Sequence, residues 1–199
     1  MTNSTEHDAG ASTTSAGDAI DFLTEQHHTI RDLFTEVADS TGEQRRSAFE
    51  RLVRLLAVHE TAEEQLVHPL AKKSGHVSAD MVDLRLAEER EAKDTLQDLE
   101  RMGPEAQGFD TMFEQFRGKV TAHARHEEVD EFPSLRESVP AERLRSLVPM
   151  LKAAEAVAPT HPHPGTESAA ANYAAGPALS LFDRTKDLVR KALGDRPGE

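Results

Sequence analysis

The sequence predicts an all-α protein, an up-down-up-down four-helix bundle with a C-terminal helical extension. Apolar residues recur at steps of three and four through four successive segments, and the connections between those segments are short. The β-branched alternating runs that mark strands are missing.

Residues 1–17 are rich in Ser, Thr, Gly and Ala and predict a disordered tail. Asp18 is placed to cap the first helix, whose stripe of Leu23, Ile30, Phe34 and Val37 runs to about Ser40. A Thr-Gly turn leads into a second helix over about 43–73, with Phe49, Leu52, Leu56, Leu66 and Leu70 inward, closed by the turn Ser74 to His76. The third helix, about 78–102, aligns Val82, Leu86, Leu96 and Leu99. Met102, Gly103 and Pro104 break the chain before a fourth helix over about 109–136 carrying Phe113, Phe116 and Val120. The bundle is thus expected over 18–137 and an extension over 138–199, packing on the bundle or capping its open end. The extension reads as a helix at about 141–157, a Pro/His/Gly stretch, an alanine-rich segment with Tyr173, and a last amphipathic helix at about 179–193.

Hydrophobic residues make up 37% of the 199 and charged residues 30%, with a formal charge of −13. That balance describes a water-facing acidic surface and argues against nucleic acid as a partner. There is no cysteine, which removes disulfides, thiolate nucleophiles and cysteine-built zinc or iron–sulfur sites. The N-terminus has neither the basic nor the apolar region of a secretory signal, and no stretch is long enough to span a bilayer, so a cytoplasmic protein with no membrane partner is expected.

Polar residues inside an apolar stripe call for a partner. In the first helix the inward series takes in His27, whereas His28 falls with Thr24 and Thr35 on the wet side. The second helix turns His59 and Glu63 inward, the fourth His123 and Glu127, and the third Glu89, with Glu88 as the neighbouring alternative. At a rise of about 1.5 Å per residue, mid-helix positions on antiparallel rods meet at one level. Three imidazoles and three carboxylates therefore converge, and carboxylates so close could not all stay ionised without cations between them.

The converging residues lie in a repeated pattern. HETAEEQLVHP begins at His59 and HARHEEVDEFP at His123, each with Glu four residues after the His and Pro ten after it. One His-x-x-x-Glu on a helix is commonly a surface pair; its doubling, with His27 and Glu89 on matching faces, points to a shared metal centre.

These residues resemble the hemerythrin-like, or HHE cation-binding, family, whose pattern matches EQHHTIR, HETAEEQLVHP and HARHEEVDEFP over about 18–137. The resemblance implies a non-haem site of two iron ions, oxo- or hydroxo-bridged, inside a four-helix bundle. It makes Glu63 and Glu127 bridging carboxylates and His27, His59 and His123 terminal imidazoles. The His-then-Glu order separates the pattern from ferritin-like sites, which use Glu-x-x-His. Oxygen-carrying members have histidines in the third helix, where this chain has LAEEREAKDTL with Glu89 at the equivalent place. A carboxylate there makes the site harder and favours ferric iron over reversible oxygen carriage, although manganese or zinc would accept similar donors.

A phenolate suits ferric iron, so Tyr173, the single tyrosine, is expected to fold over the bundle and join the ligand set. His161 and His163 in the Pro-rich stretch read as loop residues, His126 as a surface group and His68 as the close of its helix; Glu64 and Glu128 read as residues that orient ligands. The functional expectation is an oxidoreductase acting on a small oxidant, hydrogen peroxide first and nitric oxide second. A module that binds O₂ or NO, or senses iron, without turnover is the alternative.

Overall fold

The computed structural model describes residues 17–75 and 78–157. Its helices are α1 (Ala19–Asp39), α2 (Gly42–Ala62), α3 (His68–Ser74), α4 (Ala79–Met102), α5 (Phe109–His126), α6 (Phe132–Ser138) and α7 (Ala141–Val157), and the described residues contain no strand. The π-helical turns Glu63–Val67 and Glu127–Glu131 join α2 to α3 and α5 to α6 without breaking the rods. Four rods follow: α1, α2 with α3, α4, and α5 with α6.

Local signals set the ends. The Asp18 carboxylate accepts from the Ile20 and Asp21 amides while Asp21 returns a bond to the Asp18 amide, a capping box. Gly75 ends α3 in the left-handed region at φ 70°, which a side chain would disfavour. Cross-rod contacts give the directions: Gln26 with His59 and Glu36 with Arg51 run α1 antiparallel to α2, and Glu91 with Lys119 and Glu88 with His123 do the same for α4 and α5.

The interior is divided. One apolar cluster gathers Ile30, Phe34, Val37, Phe49, Leu52, Leu99, Phe109, Phe113 and Phe116 at the end where α2 and α5 begin. A second gathers Leu23, Leu66, Leu70, Val82, Phe132 and Leu135 at the opposite end. Between them lies a layer of buried polar residues from all four rods. α7 completes the second cluster by laying Leu144, Leu147 and Leu151 against α1 and α2. It thus flanks the bundle.

Candidate metal centre

His27, His59 and His123 are at most 6% exposed, and Glu63, Glu89 and Glu127 are fully buried. The six inward donors expected from the sequence are therefore brought together in the polar layer. Each imidazole is held from outside by its Nδ1. His27 donates to Glu128 at 2.9 Å, His59 to the Gln26 carbonyl oxygen at 2.8 Å, and His123 to Glu88 at 3.0 Å. With Nδ1 occupied by these outer partners, Nε2 is the atom of each ring left facing the centre. There, His27 Nε2 lies 3.3 Å from Glu127, His59 Nε2 3.3 Å from Glu63, and His123 Nε2 3.5 Å from Glu127. Glu88 and Glu89 divide the work: Glu88 holds His123 from the rim, and Glu89 faces inward.

The inward atoms are short of partners. His27 Nε2, His123 Nε2, both oxygens of Glu63 and of Glu127, and one oxygen each of Glu60, Glu89 and Glu131 are buried without a hydrogen bond among the described residues. Orphaned acceptors at this density are costly unless something positive sits among them. Among the described residues, donor atoms within 4.8 Å of one another occur in four groups: His27, His59 and Glu63; Glu63, His123 and Glu127; Glu60, Glu89 and His123; and His68, Glu127 and Glu131. Glu63 links the first two groups, as a bridging carboxylate would. The donor set fits divalent or trivalent cations.

Electrostatics record the same frustration. Burial, with the Glu127 charge beside it, pushes the Glu63 carboxyl well above the usual carboxylate range. Burial likewise pushes Glu60 up to about 7, with Glu89 adding to it. Burial, then the neighbouring His27 ring, depresses His59 well below the ordinary imidazole value. Burial would also depress His123, but Glu127 and the bond to Glu88 raise it to about 10. Glu127, despite burial, is held far down by His123 and by the His27 ring 3.3 Å away. Cations among the carboxylates would take over the part that protons play here.

Three contributors escaped the sequence reading. His68 does not simply close its helix: it is 2% exposed, with Nε2 2.5 Å from Glu89 and Nδ1 3.1 Å from Glu131. Glu131 lies one turn past Glu127, and that spacing could have found it. Glu60, beside His59, left no such signal. Glu64 and Glu128 do hold the surroundings, Glu64 through Lys93 and Glu128 through His27 and Arg31. Tyr173, His161 and His163 lie outside the described residues.

A cavity of about 10 Å³ touches His27, His59 and His123 and is walled by Ile30, Leu56 and Val120. It has room for one water-sized molecule. A wider cleft of about 130 Å³ reaches His123 and Glu60 from between α4 and α5, past Glu88 and Lys119. No helix among the described residues is long and apolar enough to cross a membrane.

A protein from Mycobacterium kansasii whose crystal structure carries a hemerythrin HHE cation-binding domain superposes with a TM-score of 0.63 over 85% of this chain and 99% of its own, at 21% identity. A curated protein of Nostoc sp. named DNA nickase is 27% identical over 136 residues, 68% of this chain. The chain spans only 38% of that relative's length. The model of the hemerythrin HHE cation-binding domain matches residues 18–135, the stretch that supplies every inward donor described above, and the chain belongs to that family.

Proposed function

We propose that the polar layer holds two iron ions and that the protein turns over small oxidants, hydrogen peroxide first and nitric oxide second. One observation supports this above the others. The outer nitrogen of each of the three imidazoles is hydrogen-bonded, while the buried acceptors facing the centre lack partners. Such a layer is made to surround cations. His27, His59 and Glu63 would hold one ion and His123, Glu89 and Glu127 the other, with Glu63 and Glu127 between them.

An iron pair supplies a store for two electrons, enough to oxidise one peroxide to dioxygen and reduce a second to two waters. The chain's residues do the rest. Gln26, Glu88 and Glu128 fix the ring tautomers. Ile30, Leu56 and Val120 keep the cavity beside the histidines to the size of a small oxidant, and the cleft between α4 and α5 gives a second, wider approach to His123. Carboxylate donors favour the ferric state and oppose reversible oxygen carriage. The nickase activity named for the Nostoc protein is not carried over, since this chain covers a minor part of it and has a formal charge of −13.

The test is iron content, an absorption spectrum and oxygen evolution from peroxide, on wild type and Glu63→Ala. Two irons per chain with rapid oxygen release, lost in the variant, is the expected result. Iron-loaded protein that leaves peroxide and nitric oxide unconsumed would overturn the reading. A stable nitrosyl adduct without turnover would move it to the sensor alternative.

A further inference from the structure

The four rods repeat in pairs. A step of 62 residues carries His27 of α1 to Glu89 of α4, and a step of 64 carries the π turn Glu63–Val67 onto the π turn Glu127–Glu131. The residue after each π turn is therefore matched as well, His68 with Phe132. Both carry rings, both are 2% exposed, and each ring meets the inward residue of another rod. Phe132 lies flat on His27, with ring centroids 5.7 Å apart and planes 7° from parallel. His68 turns Nε2 to Glu89 at 2.5 Å.

The rings differ because the residues they meet differ. On the α1 side, Glu128 lies 2.9 Å from His27 Nδ1 and accepts from Arg31 at 3.2 Å. The same steps carry Glu128 back to Glu64 and Arg31 on to Lys93, and Lys93 donates to Glu64 in the same way. An ionised carboxylate can hold an imidazole N–H, but it has no hydrogen to give a second carboxylate. Glu64 thus cannot do for Glu89 what Glu128 does for His27, and His68 stands where the missing donor is needed. Its Nδ1 lies 3.1 Å from Glu131, a fully buried acid whose counterpart is Val67. Glu89, His68 and Glu131 depart from the repeat together.

We propose that His68 is a positioning residue for Glu89. It holds Glu89 Oε1 through Nε2 while Glu131 fixes the ring from behind, which leaves Glu89 Oε2, without a hydrogen bond among the described residues, to face the centre. The proposal rests on the two-cation reading above and adds that residues 68 and 89 are a matched pair, an N–H donor for a carboxylate where the other side has an apolar ring for an imidazole.

The experiment loads the full chain with iron(II) without oxygen and measures iron per chain and, by chelator competition, its affinity. The variants are His68→Gln, a ring exchange (His68→Phe with Glu131→Val), Glu89→His, and the exchange combined with Glu89→His, which writes the α1-side arrangement into the α4 side. Wild type should hold two irons. His68→Gln, whose amide can donate from the place of Nε2, should stay within about threefold of wild type. The ring exchange should weaken the second iron at least about tenfold. In the Glu89→His background the same exchange should cost less than about threefold, whereas a merely structural role would carry one loss into both backgrounds. If the ring-exchanged protein does not fold, adding Glu89→His should restore a cooperative melt of the metal-free chain, and no restoration would overturn the proposal. A tenfold loss in His68→Gln would make His68 a ligand and overturn it too. An exchange that costs under threefold in both backgrounds, or equally in both, would overturn it and leave the two-cation reading standing. Fewer than two irons in wild type would overturn both.

Discussion

Glu155 accepts a 2.6 Å hydrogen bond from Gln26 Nε2, which turns the Gln26 carbonyl oxygen toward His59 Nδ1 at 2.8 Å. A residue of α7 thereby orients an imidazole of the candidate metal centre through one intermediary. The link gives α7 a role beyond packing, since a free amide at Gln26 could present either end to the ring.

Glu155→Ala should therefore lower affinity for the cation held by His27 and His59 by about tenfold, the usual size of an effect on a group that orients a ligand. The folded state should lose only about 1 kcal/mol, because the residue is partly exposed and one hydrogen bond is at stake. Competition with a chelator, set beside a denaturant melt, separates the two quantities. Equal chelator sensitivity in wild type and variant would remove Glu155 from the site.

α7 itself contributes through its apolar face. Leu151 is fully buried among Leu23, Leu66 and Leu147. Leu151→Ala should destabilise by about 2–5 kcal/mol, the cost of deleting a buried leucine side chain and leaving a cavity. A thermal or denaturant melt of metal-free protein reads this directly; a change below about 1 kcal/mol would mean that α7 is not firmly docked.

The periodicity of the sequence exposed the four rods and the six inward donors because each stripe, read alone, kept its phase: Leu52, Leu56, His59 and Glu63 fall on one face of α2. Glu60 was hidden because α2 is covered by α1, α4 and α7 together, so its buried arc is wider than one stripe and extends to Glu60 and Thr61. His68 was hidden for a different reason. On an uninterrupted helix it would lie about 180° from His59, facing out. The π turn Glu63–Val67 inserts an extra residue into that span and swings His68 inward onto Glu89 and Glu131. Neither effect is visible in a reading that takes each helix as regular and separate.

Lys93 supports the layer from its edge. Its ammonium pairs with Glu64, whose side chain is fully buried, and carboxylates at Glu64, Glu60 and Glu89 raise its pKa although burial opposes this. Lys93→Met should cost about 3 kcal/mol, mostly because it removes a cation that pairs with a buried carboxylate. Adding Glu64→Gln should recover part of the loss. A double-mutant cycle by denaturant melting gives the coupling, and strictly additive losses would show that the pair acts independently.

Cation uptake should release protons and strengthen with pH, and the sign follows from Glu63 and His123. In the metal-free fold both have pKa values raised above their unfolded ones, Glu63 well above 4.5 and His123 from 6.5 to about 10. The stability each supplies is fully present below its unfolded value and is lost as pH rises through its folded value. Metal-free protein should thus weaken from about pH 7 toward pH 10 as His123 loses its proton. Loaded protein gains over the same range, because cations need these donors deprotonated. The gap between the melting temperatures of loaded and metal-free protein should widen between about pH 7 and pH 9, and calorimetry in two buffers of different ionisation enthalpy should show net proton release on loading. A gap that narrows, or loading without proton release, would mean that the cations sit elsewhere than between Glu63 and His123.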